Sequence, residues 1–405
     1  QESELTVVRA DEDQFQPVYE YDVAFEERSV NRIVNSAASM TSRRVIGEVD
    51  DLSEYGLAEP AATVTVTRDD GTQQQLIIGA QTPARNAYYV KKPGEDAVYT
   101  VFNTWARPFF STINSLRVRS IPQITMEQLE RVRIRTVEGR TIRISRVPEY
   151  DEDPEMSLAM FAVTDPFSRR FQANQGWLED LSTDLQSLRI NEFVDDAPSD
   201  LAAYGLDPPA ARIVVADAQN TLDLVIGSET EGGRFAKFAG TPSVFVLSGA
   251  TPIITTEPYD TISAFALIVG IDNVTSFIVE APGARYVGEI ERTPVEGEEE
   301  PEETYYLNGE EIDEDRFKTL YQWAIGLQFD VEMDAAQQGL LERQDPLARI
   351  TYNLMGDTQP LEVAFVPQSE SFAAVVREGS AEFLIATRKI ERMLAEYATT
   401  AAELE

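Results

Sequence analysis

The chain contains no cysteine and no histidine. The first absence removes disulfides, thiolate nucleophiles and thiolate zinc sites, and it is compatible with either side of a membrane. The second removes every Ser-His-Asp and Cys-His arrangement together with imidazole-held zinc. What remains is carboxylate, Lys or Tyr chemistry, or carboxylate-bound Ca²⁺ or Mg²⁺. Lysine is scarce too: Lys91, Lys92, Lys237, Lys318 and Lys389 are the only ones among 34 basic residues, which face 70 acidic ones. A binder of phosphate backbones or anionic lipid surfaces needs a basic patch, so a formal charge of -36 argues against both, and no nucleic acid is expected as a partner. Long apolar runs are also missing. Ile262 to Ile271 has roughly half the length of a membrane span and reads instead as the end of a core helix. No Ser-x-x-Lys, Gly-x-Ser-x-Gly, Gly-x-Gly-x-x-Gly or P-loop pattern occurs.

What the chain does have is length and repetition. With 405 residues, 43% of them hydrophobic, it can bury sizeable cores, and length alone gives about two to four domains. The stretch Leu52-Ser-Glu-Tyr55-Gly56-Leu57-Ala-Glu-Pro60-Ala61-Ala62 returns as Leu201-Ala-Ala-Tyr204-Gly205-Leu206-Asp-Pro-Pro209-Ala210-Ala211. A strand pattern follows each copy and ends in Ile78-Gly79 or Ile226-Gly227. Identities at fixed spacing identify a repeat protein. A third, degenerate unit has Gln338-Gly339-Leu340 in the place of Tyr-Gly-Leu, with Pro346 displaced by two residues. The expected fold is α+β: three tandem repeats over 1–123, 124–271 and 272–405, each a mainly antiparallel sheet with one or two packed helices. No long Gly/Ser linker separates them, so an elongated, end-to-end body is expected.

Periodicity fills in the units. In the first, Leu5 to Val8 and Tyr19 to Phe25 read as extended, and Val30, Ile33, Val34, Ala37 and Met40 share one face of a helix from about Glu27 to Arg43. Hairpins are expected across Asp69-Asp70-Gly71 and across Lys92 to Glu95, closed by a helix from Thr104 to Leu116. The second unit opens with a hairpin over Glu138-Gly139 and has its helix at Trp177, Leu178, Leu181, Leu185 and Leu188; Tyr259 to Leu267 matches the closing helix. In the third, Phe317, Leu320, Tyr321, Ala324 and Leu327 mark the helix, and four strands precede a last helix at Lys389 to Tyr397.

Four features are candidates for chemistry or recognition. Tyr55 and Tyr204 offer phenols beside glycines, but a motif present in more than one unit is better explained as a structural junction. In that reading Gly56 and Gly205 take a positive-φ turn, Tyr55, Leu57, Tyr204 and Leu206 plug the core, Pro60 and Pro209 start a strand, and Gly79 and Gly227 end one. The acidic loops Glu149 to Glu155 and Glu296 to Glu303 are where Ca²⁺ would bind, yet neither follows the Asp-x-Asp-x-Asp-Gly spacing, so solvated mobile insertions are expected. Asp50-Asp51, Asp195-Asp196 and Asp330 to Asp334 precede each signature position; such pairs serve glycoside hydrolysis, but their recurrence favours polar turns. Tyr88-Tyr89 and Tyr305-Tyr306 offer a recognition face or half-buried strand aromatics.

The order of these elements resembles the bacterial family called domain of unknown function 4340. In the first copy Leu52, Tyr55, Gly56, Leu57, Pro60, Ile78, Gly79, Tyr89, Val90, Val98 and Tyr99 carry the likeness; in the second, Leu201, Tyr204, Gly205, Leu206, Pro209, Ile226 and Gly227 do. The second copy has Phe245 for Tyr99 and the third lacks the Tyr, which is a departure from the pattern. The resemblance implies an extracytoplasmic repeat protein tethered by one N-terminal membrane helix, working with ABC-type transporter subunits of the gliding-motility kind. It implies no catalytic residues, so no catalytic, cofactor or metal site is expected. The chain opens at Gln1 rather than methionine, and an anchor upstream is expected. The expected function is a non-enzymatic accessory or scaffold subunit with protein partners. The alternative is a carboxylate-dependent glycan-active enzyme, or a Ca²⁺-dependent glycan binder, with its site between repeats.

Overall fold

The computed structural model describes residues 4–11, 14–295, 301–333, 344–356 and 359–404. They fall into two compact units. Unit 1 comprises Gln1–Ser120, Ile190–Ser199 and Pro242–Phe245; unit 2 comprises Ile121–Arg189, Asp200–Thr241 and Val246–Glu405.

Unit 1 begins with a hairpin of β1 (Val7–Asp11) and β2 (Gln14–Pro17), then α1 (Glu27–Ser39). Next come β3 (Arg44–Glu48), β4 (Ala62–Thr67), β5 (Gln73–Gln81), β6 (Ala87–Lys91) and β7 (Ala97–Phe102), an antiparallel sheet in the order β3-β7-β6-β5-β4. Ile78, Val90, Val101 and Ala106 form its core. Two expectations fail here. Tyr19 to Phe25 is not a strand: only Phe25 makes an isolated bridge, with Arg117, and the Tyr19 hydroxyl turns to Asp196. The closing helix is broken into Asn103–Ala106, Arg107–Phe110 and Ile113–Ser115. Pro108 removes an amide donor, and Thr112 and Ser115 restart the chain by capping one another.

The next nine strands are β8 (Leu129–Arg135), β9 (Thr141–Arg146), β10 (Phe161–Asp165), β11 (Phe171–Gln172), β12 (Arg189–Asp195), β13 (Ala211–Asp217), β14 (Thr221–Thr230), β15 (Gly233–Phe238) and β16 (Val244–Ser248). Their order is β11-β10-β9-β8-β13-β14-β15-β16-β12, and α2 (Gln175–Ser187) lies between β11 and β12 in the chain. Leu178, Leu181 and Leu185 give α2 its buried stripe.

The last sheet repeats this order position for position. Its strands are β17 (Val274–Ala281), β18 (Ala284–Thr293), β19 (Glu302–Leu307), β20 (Glu310–Glu311), β21 (Val331–Glu332), β22 (Ala348–Leu354), β23 (Leu361–Pro367), β24 (Phe372–Arg377) and β25 (Ser380–Ala386). They pair as β20-β19-β18-β17-β22-β23-β24-β25-β21, with α3 (Glu314–Ile325) before β21 and α4 (Thr387–Leu404) at the end. The five-stranded sheet of unit 1 has the β13-β14-β15-β16-β12 half of the pattern. The fold is thus mainly antiparallel α+β.

The run Ile262 to Ile271 is not a helix end. Its amides are satisfied sideways, Ser263 N–H by Gln172 O at 2.7 Å and Ala266 N–H by Leu327 O at 2.7 Å. Ile262 and Phe265 make isolated bridges to Ala173 and Gln328. Buried Leu267 and Val269 account for its hydrophobicity.

Candidate functional site

The signature copies are built alike. In the first, Leu52–Tyr55 makes one 3-10 turn, Gly56 takes φ 65°, and Leu57 N–H returns to Leu52 O at 3.0 Å. The second has Ala202–Tyr204, Gly205 at φ 67° and Leu206 N–H on Leu201 O at 3.0 Å. Leu57 and Leu206 are buried. Pro60 and Pro209 lead into β4 and β13. Gly79 and Gly227 occupy bulges where the pairing register slips, between Ile78 and Gln81 and between Ile226 and Glu229. Each bulge carries the chain against the turn: a Cβ on Gly56 would stand 2.7 Å from Ala80 N, and one on Gly205 would stand 2.7 Å from Ser228 N. The Tyr55 ring meets Tyr89 edge-on at 4.9 Å, and Tyr204 meets Phe235 in the same way at 5.1 Å. These contacts are packing between a turn and a bulge. Gln338-Gly339-Leu340 lies outside the described residues.

The acidic pairs are dispersed among separate tasks. Asp51 accepts from Ser53 N–H at 2.9 Å, and Asp195 accepts from Ala197 N–H at 3.0 Å. Asp196 is buried in unit 1, where it takes Arg117 Nη1 at 2.7 Å and the Tyr19 hydroxyl at 2.6 Å, with the Arg117 guanidinium 3.6 Å from the Phe193 ring centre. Burial works against its charge, but hydrogen bonds from Tyr19, Ser243 and Arg117 outweigh it and hold the carboxyl below the usual carboxylate range. Asp330 pairs with Lys389 at 2.8 Å; Asp334 lies outside the described residues.

The first acidic loop is a folded part of unit 2 rather than a solvated insertion. Asp151 receives both Nη atoms of Arg170, at 3.0 and 2.7 Å; Asp153 caps the turn Pro154–Met156. Glu155 pairs with Arg377. Burial lowers the Arg377 pKa to about 10, with Glu378 and Asp153 opposing. The sequence expectation failed because it counted acids without seeing that distant arginines return to them. In the second loop Glu303 takes Arg292 at 2.7 Å, while 296–300 lies outside the described residues. Tyr305 is buried, whereas Tyr306 is half-buried with its hydroxyl on Glu291.

One feature of unit 2 with room for a ligand is a cleft of about 530 Å³ whose lining includes Asn174, Trp177, Asp180, Tyr259, Asp260, Ser263, Phe265 and Gln328. That volume falls in the range of small-ligand sites. Asn174 fixes one wall: its Oδ1 caps α2 through Gly176 N–H at 3.0 Å, and its Nδ2 donates to Asp260 O at 3.1 Å. Because Leu178, Leu181 and Leu185 face the core, Trp177 and Asp180, three residues apart, share the flank beside that stripe. Opposite them, Pro258–Thr261 makes a tight turn presenting Tyr259 and Asp260. The Tyr259 hydroxyl donates to Phe329 O at 3.3 Å, and its ring abuts Phe329, which stacks on Phe383 at 4.0 Å.

The cleft is electronegative. Burial, then the carboxylates of Asp330, Asp260 and Glu332, push the Tyr259 phenol up. Burial and Asp180 raise Asp184. No lysine or arginine lines the cleft.

None of the signature residues lines this site. Sequence reasoning placed Trp177 among the core residues of its helix and Tyr259 at the head of another, so both were missed. Periodicity gave no signal, because Trp177 is spaced i, i+4 and i+8 with Leu181 and Leu185, as a core residue of the helix would be.

The profile of the family Domain of unknown function (DUF4340) matches residues 18–165 and again residues 166–331. The boundary falls between β10 and β11, inside a sheet. No curated protein and no solved structure matches.

Proposed function

The chain belongs to the DUF4340 family, and from that premise we propose that it is a non-enzymatic, extracytoplasmic accessory subunit. It is tethered by an N-terminal anchor and serves an ABC-type transporter complex as a binding body. One observation carries the reading: a nine-stranded sheet occurs twice with one strand order, the construction of a repeat protein that presents surface rather than a reaction centre. Buried ion pairs fit the same role. Asp196 and Arg377 are each buried in an ion pair that joins separate segments of chain. Affinity capture of the full-length protein from membranes tests the proposal. Recovery of transporter subunits is expected; reproducible recovery of soluble cytosolic partners alone overturns it. The tether is tested separately by the codons upstream of Gln1, which should encode one apolar segment of about 20 residues.

A second reading, a carboxylate-dependent glycan-active enzyme or glycan binder, draws on the cleft, where Trp177 and Tyr259 stand with Asp180 and Asp260. Release of reducing ends from polysaccharide, lost on Asp180→Asn or Asp260→Asn substitution, would establish it in place of the first.

A further inference from the structure

We propose that the cleft binds a basic polypeptide segment, seating an Arg or Lys side chain on Trp177 and Tyr259 with its charge met by Asp180 and Asp260. This rests on the reading of the protein as a binding body and names the chemistry of its partner.

Charge complementarity selects the occupant. Two carboxylates and no cation line the cleft. Of the acids around it, Glu257 is matched by Arg140 at 2.8 Å and Asp330 by Lys389 at 2.8 Å, while Asp184 adds to the negative field. Among the described residues, Asp180 and Asp260 are the lining acids left for a visiting cation. Hydrogen-bonding capacity points the same way. The Asn174 amide is committed to the α2 cap and to Asp260 O, and the Tyr259 hydroxyl to Phe329 O. Ionised carboxylates only accept, so the partner must bring donors; a guanidinium brings five and an ammonium three. A sugar ring needs donors and acceptors arranged around it; here the Asn174 amide and the Tyr259 donor are committed, which leaves Ser263 and Gln328 as the lining side chains that offer both. The aromatic wall supplies the rest, since Trp and Tyr faces attract cations. The chain uses this pairing within itself, Arg146 lying 4.8 Å from the Phe161 ring centre.

The test is calorimetric titration of the intact chain with a blocked tri-arginine peptide at about 0.15 M salt, where long-range attraction is screened. Saturable binding is expected, weakened roughly tenfold by Trp177→Ala and further by Asp180→Asn with Asp260→Asn. The charge-matched control Glu310→Gln with Glu311→Gln, on exposed β20, should bind as the parent does. Equal loss in cleft and control variants would mean diffuse attraction to an acidic surface and overturn the proposal. Trp177-dependent binding of a neutral glucan or chitin tetramer, with none of tri-arginine, would overturn it in favour of a glycan site. Because the titration uses the chain alone, its result is independent of the membrane capture.

Discussion

A Cβ added to Gly79 would stand 2.3 Å from the carbonyl oxygen of Tyr55, and one added to Gly227 would stand 2.1 Å from that of Tyr204. The two glycines of each signature copy, more than twenty residues apart in the chain, are therefore halves of one contact. The turn needs the bulge and the bulge needs the turn. Gly79→Ala should lower the stability of unit 1 by roughly 1–3 kcal/mol, the cost of forcing an atom into filled space. Gly71→Ala, at φ 82° with open space around it, should cost about 1 kcal/mol from backbone strain alone. Urea midpoints rank the two; equal costs would refute the contact.

Arg117 and Asp196 form the buried ion pair of unit 1, with side chains 4% and 6% exposed. Arg117→Ala leaves a buried carboxylate without its partner and should cost about 3–5 kcal/mol, read as a drop in melting temperature. The same node makes stability depend on pH. Asp196 is held below its unfolded value, so its contribution is full above the unfolded carboxylate pKa and lost as pH falls through the lower folded one. Tyr19 is pushed up to about 12 by burial and by Asp196, so its contribution is full below about pH 10 and lost as pH rises through about 12. Melting curves across pH should therefore show a plateau that falls at both ends, and Tyr19→Phe should lessen the alkaline fall without abolishing it, because burial also raises Tyr305, Tyr321, Tyr352 and Tyr397.

Tyr150 is 89% exposed on a loop whose next residue is held by Arg170. With Arg170→Ala the loop loses its anchor, and chymotryptic cleavage after Tyr150 should accelerate about fivefold, the factor that about 1 kcal/mol of local opening gives. The global melting temperature should barely move, since partly exposed pairs contribute little. Mass analysis of the first fragments decides; unchanged cleavage would return the loop to the solvated insertion that its composition first implied.

A fragment of residues 166–331 reproduces the second family segment but lacks β8 to β10 and β22 to β25. It leaves β13 without β8 and β17 without β22, two open edges that invite aggregation. A fragment of residues 272–404 retains all nine strands of its sheet. Size-exclusion chromatography should find the first aggregated and the second monomeric; the reverse would show that the family segment is the folding unit.

Much of the fold was legible in the sequence because it rests on local signals. The hairpin turns at Gly71, Gly94 and Gly139 all have positive φ, and the alternation of β13 and the stripe on α2 follow from side-chain periodicity. The closing helices were misread where a proline or a sideways hydrogen bond overrode an apolar pattern, as at Pro108 and Ser263. The last sheet, β17 to β25, was faint in sequence yet has the strand order of the sheet before it, since pairing constrains topology more than residue identity. The cleft was illegible for a different reason: Trp177 and Tyr259 are brought together by Asn174, whose capping and bridging amide looks like any loop asparagine until its partners are known.

The offset between family segments and sheets means that the chain has a period without a privileged starting point. A duplication or deletion that carries one whole nine-strand period closes every sheet again whichever loop is cut, much as a reading frame survives the loss of whole codons. A change of half a period strands an edge at each side. Growth in this architecture is therefore quantised, and its natural count is sheets completed rather than family segments added.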